Sequence, residues 1–187
     1  MPIYNPQAEQ RRWIFGYGSL MWRPGFEFLR QVPARLSGYH RRLSVYSNHY
    51  RGTEEKPGLV LGLDRGGSCV GIAFEIADDK WLEVLDYVRQ REMITGVYRE
   101  IVKQVYLDGQ TRPVLAVTYA VDRKHPQCAP RLSVENTMVY VAQGHGLSGS
   151  CVDYVRNTLQ HLRGMGLHDT GLEKLAPALE NLSGPHP

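Results

Sequence analysis

Six strand-type stretches, at 12–17, 34–46, 58–64, 69–76, 97–107 and 113–121, follow one another at short spacing through the first two-thirds of the chain. Turn punctuation separates them, as Lys56-Pro57-Gly58, Arg65-Gly66-Gly67 and Asp108-Gly109. So many strands at short spacing point to a sheet that curls or closes. Val70 to Ile76 alternates bulky and small residues, and Gly58 to Leu63 places glycine where bends or close backbone approach are cheap, as the corners of a small barrel require. The last third reads as helix. Leu132 to Gln143 has a short apolar pattern, and Ser150-x-x-Asp153 and Thr170-x-x-Glu173 resemble capping boxes, the first opening on Cys151, Val155, Leu159 and Leu162, the second on Leu172, Leu175 and Leu179. Strands first and helices last give an α+β class: a small curled or closed β-barrel with flanking helices packed outside it. At 187 residues the expectation is a single domain over 1–187, with 1–11 as a loose lead-in.

Composition excludes several functions. No apolar stretch reaches membrane-spanning length, and Met1 to Arg12 is polar rather than a signal peptide, so the expected setting is cytoplasmic, without a membrane. The net charge of +3 is scattered over Arg41-Arg42, Arg89-Gln90-Arg91 and Arg123-Lys124. Counterion release needs many phosphate contacts on one face, so no nucleic-acid partner is expected, while a local basic patch for a small anion stays open. Cys69, Cys128 and Cys151 are far apart with no C-x-x-C, and the seven histidines show no metal-binding spacing. Neither a metal nor a cofactor is expected. No feature of the sequence sets an oligomeric state.

The chemistry gathers around Trp13-Ile14-Phe15-Gly16-Tyr17-Gly18-Ser19-Leu20-Met21-Trp22. An apolar strand breaks into two glycines flanking a tyrosine, and Pro24 forbids regular continuation. Glycines at 16 and 18 can take positive φ, turning the N–H groups of Gly18, Ser19 and Leu20 inward as an anion-binding nest. A dinucleotide fingerprint needs glycine at 21, where Met stands, and a nucleophile elbow needs Gly-x-Ser-x-Gly, which Ser19 lacks. The loop is either a presenter of backbone donors with Ser19 as an orienting hydroxyl, or a plain turn closing the first strand.

A helix at about 78–92, capped by Asp78 or Asp79, carries an apolar stripe through Trp81, Leu85 and Val88, and the next residue on it is Glu92. Glu83 falls on the opposite, solvated face. A carboxyl group on a buried stripe must be paired or have its pKa raised, which suits a general base. Alternatively the helix ends near Arg91, and Glu92 is solvated or paired with Arg89 or Arg91. Gly146-Leu147-Ser148-Gly149-Ser150 misses the elbow spacing by one place and reads as a Gly/Ser linker between helices. Tyr154 lies beside its helix's apolar stripe, within reach of a pocket edge or as a core hydrogen-bonding tyrosine. His49 and the Arg51-Gly52-Thr53 turn are either anion contacts or a solvated loop.

Phe15-Gly16-Tyr17-Gly18-Ser19-Leu20-Met21-Trp22, then Arg41-Arg42, Arg51-Gly52-Thr53, Pro57-Gly58, and Arg91-Glu92-Met93 with Gly96 and Tyr98, together resemble the ChaC family of γ-glutamylcyclotransferases from about residue 12 to about 165. The resemblance implies a compact barrel flanked by helices that cleaves glutathione to 5-oxoproline and cysteinylglycine without metal or cofactor. It makes Glu92 the acid/base residue and has Tyr17, Gly18, Ser19 and Leu20 hold the γ-glutamyl moiety. Arg51 and Tyr154 become substrate contacts, Tyr154 matching a tyrosine that follows the Gly-x-Ser-Gly turn in relatives. Two positions depart from the pattern: Tyr50-Arg51-Gly52 replaces the usual His-Arg-Gly, with His49 one place earlier, and Leu147 stands where proline is usual. Two other functions stay open, a cyclotransferase on other γ-glutamyl amines or amino acids and a non-catalytic regulatory protein with the same pocket.

Overall fold

The computed structural model describes residues 12–182; the expected lead-in over 1–11 lies outside them. Five strands, β1 (Arg12–Gly16), β2 (Arg30–Ser47), β3 (Gly58–Ile76), β4 (Tyr98–Leu107) and β5 (Val114–Val121), pair in the order β1-β3-β2-β4-β5 as a closed barrel. β1 runs antiparallel to β3, with Ile14 opposite Phe74, and parallel to β5, with Trp13 opposite Ala116. Paired on both edges, β1 is an interior strand, and Trp13, Ile14 and Phe15 are all buried as its unbroken apolar run requires. Each such side chain contributes about 1.5–3 kcal/mol of burial. The α+β class and the closed barrel are as the sequence indicates.

The stretches 58–64 and 69–76 form one strand, not two. Gly66 and Gly67 take φ of +102° and +69°, the geometry a turn would also demand, but here they bend β3 while it stays in the sheet. β2 likewise starts four residues earlier than its strand signal, at Arg30.

The chain forms two compact units. Of the described residues, the first comprises 12–39, Gly66–Thr95 and Glu100–Tyr119; the second comprises His40–Arg65, Gly96–Arg99 and 120–182. The first holds the helix α1 (Trp81–Glu92). Asp78 and Asp79 do not cap α1 with their side chains. They lie in a 3-10 turn, Asp78–Lys80, that leads into it, and Asp78 accepts a hydrogen bond from Arg12 instead. The inner stripe is Val84, Leu85 and Val88, with Trp81 only half-buried beneath the Arg12 guanidinium. Glu83 is exposed, on the face the periodicity assigns to it.

The second unit holds α2 (Val134–Gln143), α3 (Cys151–Gly164), α4 (Thr170–Glu173) and α5 (Ala176–Asn181). Ser133 and Ser150 cap α2 and α3; the Ser150 Oγ accepts from the Asp153 N–H, the serine half of the expected capping box, and its hydroxyl donates to the Asp153 carboxylate. α3 buries Cys151, Val155, Leu159 and Leu162 as its spacing predicts. The second expected box shifts by one residue: Asp169, not Thr170, accepts the N–H groups of Gly171 and Leu172. Its other carboxylate oxygen takes Arg41 at 2.9 Å, a pairing that favours Asp169 over its neighbour. No helix among the described residues is long and apolar enough to cross a membrane.

Candidate active site

In the first unit the chain leaves β1 and, past Tyr17 and Gly18, enters a 3-10 turn over Ser19–Met21. The Met21 N–H closes it on the Gly18 carbonyl at 2.9 Å, and the Arg23 N–H returns to the Ser19 carbonyl at 2.8 Å. The expected tight loop is there, but neither Gly16 nor Gly18 takes positive φ. Gly16 serves close packing: a Cβ on it would press against that of Leu20 at 3.0 Å, and Tyr17, Leu20 and Met21 are themselves buried. Ser19 and Leu20 open the turn, so their N–H groups have no acceptor within it, which is the donor arrangement a nest needs.

Glu92 is the last residue of α1, so the helix does reach it, and its side chain is 19% exposed. Burial pushes its carboxyl pKa up, against an opposing pull from Arg91. That pull is loose, since Arg91 Nε lies 3.5 Å from Glu92 Oε1, beyond ordinary hydrogen-bond length. Both sequence readings thus hold in part: the carboxylate sits on the stripe's arc, and it faces Arg91. The rest of the Arg91 guanidinium turns to the loop, donating from Nη2 to Ser19 Oγ at 2.9 Å and from Nη1 to the carbonyls of Arg23 and Pro24 at 2.7 and 3.1 Å.

In the second unit, residues 145–150 are not a loose linker. His145–Gly146 and Gly149–Ser150 pair as a two-stranded hairpin, β6 and β7, with Gly149 at φ +93°. The N–H groups of Leu147 and Ser148, at its tip, donate to the carbonyls of His49 and Tyr50. The 47–58 segment packs so closely here that a Cβ on Gly52 would collide with the backbone of Ser47, Lys56 and Gly58. Arg51 Nη1 donates to the carbonyls of Ser148 and Ser150, and its guanidinium lies over the Tyr154 ring, 5.3 Å from the centroid. The Tyr154 hydroxyl accepts from the Leu61 N–H at 3.1 Å, while the Tyr98 hydroxyl donates to the Leu61 carbonyl at 2.6 Å. His49 is exposed and meets the Tyr50 ring edge-on.

The structure therefore brings Tyr17, Gly18, Ser19, Leu20 and Glu92 into one unit and Arg51 and Tyr154 into the other. The Arg41-Arg42 pair is spent on structure, Arg41 on Asp169 and Arg42 on Asp64. Two contributors escape sequence reading. One is the Arg91 bridge. The other is Tyr119 on β5, whose hydroxyl donates to Glu100 while Arg89 grips the same carboxylate through two bonds of 2.7 Å. Burial pushes the Tyr119 pKa far up, with the charges of Glu100 and Glu92 adding to the effect. Among the described residues no cluster of three or more His, Cys, Asp or Glu side chains is placed to hold a metal.

The glutathione-specific γ-glutamylcyclotransferase of Escherichia coli (strain K12) is 34% identical over 170 residues, spanning 91% of this chain and 73% of that protein. Glutathione-specific γ-glutamylcyclotransferase 1 of Danio rerio is 32% identical over 154 residues, or 81% of this chain and 79% of that one. In fold the chain is similar to the crystal structure of a yeast γ-glutamyl cyclotransferase specific to glutathione, with a TM-score of 0.82 at 21% identity, covering 95% of this chain and 99% of that one. The model of the ChaC-like protein family matches residues 12–182, nearly the whole of the chain, which is therefore a member of that family.

Proposed function

We propose that the protein is a γ-glutamylcyclotransferase that converts glutathione to 5-oxoproline and cysteinylglycine, with Glu92 as its general acid/base. The observation that carries the proposal is the state of Glu92: a carboxylate withdrawn from water, with its pKa raised, and only loosely paired. The identity to the Escherichia coli and Danio rerio cyclotransferases supports the substrate. The α-amine of the γ-glutamyl group must attack its own side-chain carbonyl, but at neutral pH it is mostly an ammonium and has no lone pair to offer. Glu92 removes one proton. The freed nitrogen bonds to the carbonyl carbon, closing a five-membered ring and placing negative charge on the oxygen. Collapse of that intermediate breaks the amide C–N bond; the proton on Glu92 passes to the departing nitrogen, and the second proton, shed by the ring nitrogen as it becomes the lactam N–H, completes the ammonium of cysteinylglycine. Every atom of the substrate is retained in the two products, and no water is consumed.

Folding the substrate into a near-attack geometry supplies on the order of 7–11 kcal/mol in well-oriented intramolecular reactions. In this reading Tyr17, Gly18, Ser19 and Leu20 hold the γ-glutamyl group, the N–H donors of the turn meeting its α-carboxylate or the developing oxyanion. Arg51 and Tyr154 are further substrate contacts. The unbroken family match over 12–182 supports treating the chain as one domain, and the proposed setting is the cytosol. Mass spectrometry of purified protein mixed with glutathione, with Glu92→Gln alongside, tests the proposal. Product from the wild type alone supports it. Turnover of a γ-glutamyl amino acid but not glutathione would move the substrate assignment, and binding without product from either would move the protein to a non-catalytic class.

A further inference from the structure

We infer that Arg91 is the positioning residue of this site: it locks the Ser19–Met21 turn to the end of α1 and fixes the Ser19 hydroxyl as a hydrogen-bond donor toward the substrate. The inference rests on the cyclotransferase reading for its substrate and on geometry for the rest. Arg91 is the penultimate residue of α1, with a side chain 22% exposed, so its planar fork is held rather than swinging in solvent. Nη1 ties down the carbonyls of Arg23 and Pro24, on the far side of the turn, and Nη2 ties down Ser19 at its start. The Arg23 N–H to Ser19 carbonyl bond closes the same segment on itself. One guanidinium thus clamps both ends of the loop to the helix that carries Glu92.

The direction of the Ser19 bond has a chemical consequence. A hydroxyl has one proton, and arginine has no lone pair to accept it, so the Ser19 proton must point away from Arg91. A charged donor behind the oxygen polarises that O–H. Ser19 is thereby a donor for an oxygen of the substrate, its carboxylate or amide carbonyl. Nε faces Glu92 at a distance that attracts the charge without occupying the lone pairs with a hydrogen bond, so the carboxylate stays available for the ammonium proton. The charge of Glu92 is felt in turn by Tyr119 of β5, whose hydroxyl donates to Glu100 of β4, the carboxylate that Arg89 of α1 grips.

The test uses Arg91→Met, Arg91→Lys, Ser19→Ala and the Arg91→Met/Ser19→Ala double variant, each read by kinetics across pH and by carboxyl carbon NMR titration, with Glu92→Gln identifying the Glu92 signal. Loss of the positive charge in Arg91→Met shifts the Glu92 titration, and with it the acid limb of kcat/KM, to higher pH. Arg91→Lys retains a charge without the fork, so the limb stays closer to the wild type while KM still rises. The KM of Arg91→Met rises about tenfold, the cost of one charge-assisted hydrogen bond. Ser19→Ala in that background adds little, because the hydroxyl is already unaligned. A residue that only props up the fold would lower the melting temperature and leave the acid limb and KM of the folded enzyme unmoved. An unshifted Glu92 titration in Arg91→Met, or KM effects that multiply fully in the double variant, overturns the inference. If the wild type leaves glutathione untouched, the functional reading fails by itself, and the NMR titration of Glu92 with and without Arg91 still decides this one.

Discussion

Asp64 in the second unit and Glu92 in the first are both withdrawn from solvent, with side chains 3% and 19% exposed, yet the protein treats them in opposite ways. Burial alone would push the Asp64 pKa up. Hydrogen bonds from Arg123, Arg42 and the Arg65 N–H outweigh it and hold the group down at about 2. Glu92 has burial of the same sign and one arginine at 3.5 Å to oppose it, so its pKa goes up. On the proposed function, what separates the structural carboxylate from the acid/base is the number of donors that reach it, not its depth. Asp64 accepts from three donors, two of them guanidinium groups; Glu92 keeps its lone pairs, at the cost of a charge only loosely paired.

The largest effect expected from this contrast is on rate. Glu92→Gln preserves the side chain's shape and removes its basicity, and turnover of glutathione falls by about 10²–10⁴-fold, the usual worth of a positioned acid/base. Steady-state kinetics beside a circular dichroism spectrum checks that the loss is chemical. Asp64→Asn is the mirror experiment. It leaves two guanidinium groups facing a neutral amide, so the expected loss is about 2–3 kcal/mol of stability, or roughly 5–10 °C in melting temperature, with kcat of the folded enzyme unchanged. A collapse of kcat in Asp64→Asn would erase the distinction between the two carboxylates.

Much of this was legible in the letters, for physical reasons. The run Trp13 to Phe15 marks an interior strand because both faces are apolar, and the period of 3.6 carries Glu92 onto the arc of Leu85 and Val88. What escaped the reading depends on residues far apart. Gly66-Gly67 looks the same whether it makes a turn or bends a strand, since both need positive φ; the continuity of β3 through them decides. Asp169 and Thr170 are both good caps, and the choice follows the ion pair from Arg41, 128 positions away. Arg91 reaches Ser19 across 72 positions, so no local pattern announces the clamp.

Acid sharpens the comparison next. Asp64 has a folded-state pKa below its unfolded value, so its stabilisation is complete above the unfolded pKa and is lost as pH falls from about 4 toward 2. The amount is on the order of 2 kcal/mol. Urea unfolding of the wild type at pH 5 and pH 3 should show the loss, and Asp64→Asn should show a flatter response over the same window. A smaller change is expected at the loop. Tyr17→Phe removes one hydroxyl beside the Ser19–Met21 turn and should raise KM by roughly three- to tenfold, with kcat falling less. An unchanged KM would take Tyr17 out of substrate binding.

The smallest expected effect is the most discriminating, because its sign is unusual. Glu92 has a folded-state pKa above its unfolded value, so the fold favours the protonated carboxyl. Its contribution is therefore fully present below the unfolded pKa and is lost as pH rises through the folded one. Ionising Glu92 therefore costs the folded protein more than the unfolded chain, and Glu92→Gln, neutral at every pH, removes that penalty. Thermal unfolding should find the variant no more stable than the wild type near pH 4 and more stable near pH 8. Asp64→Asn should do the reverse, weakest relative to the wild type at neutral pH and converging with it in acid. If Glu92→Gln loses stability at pH 8, the Arg91 pairing outweighs desolvation, and Glu92 belongs with Asp64 as a structural ion rather than a base held ready for a proton.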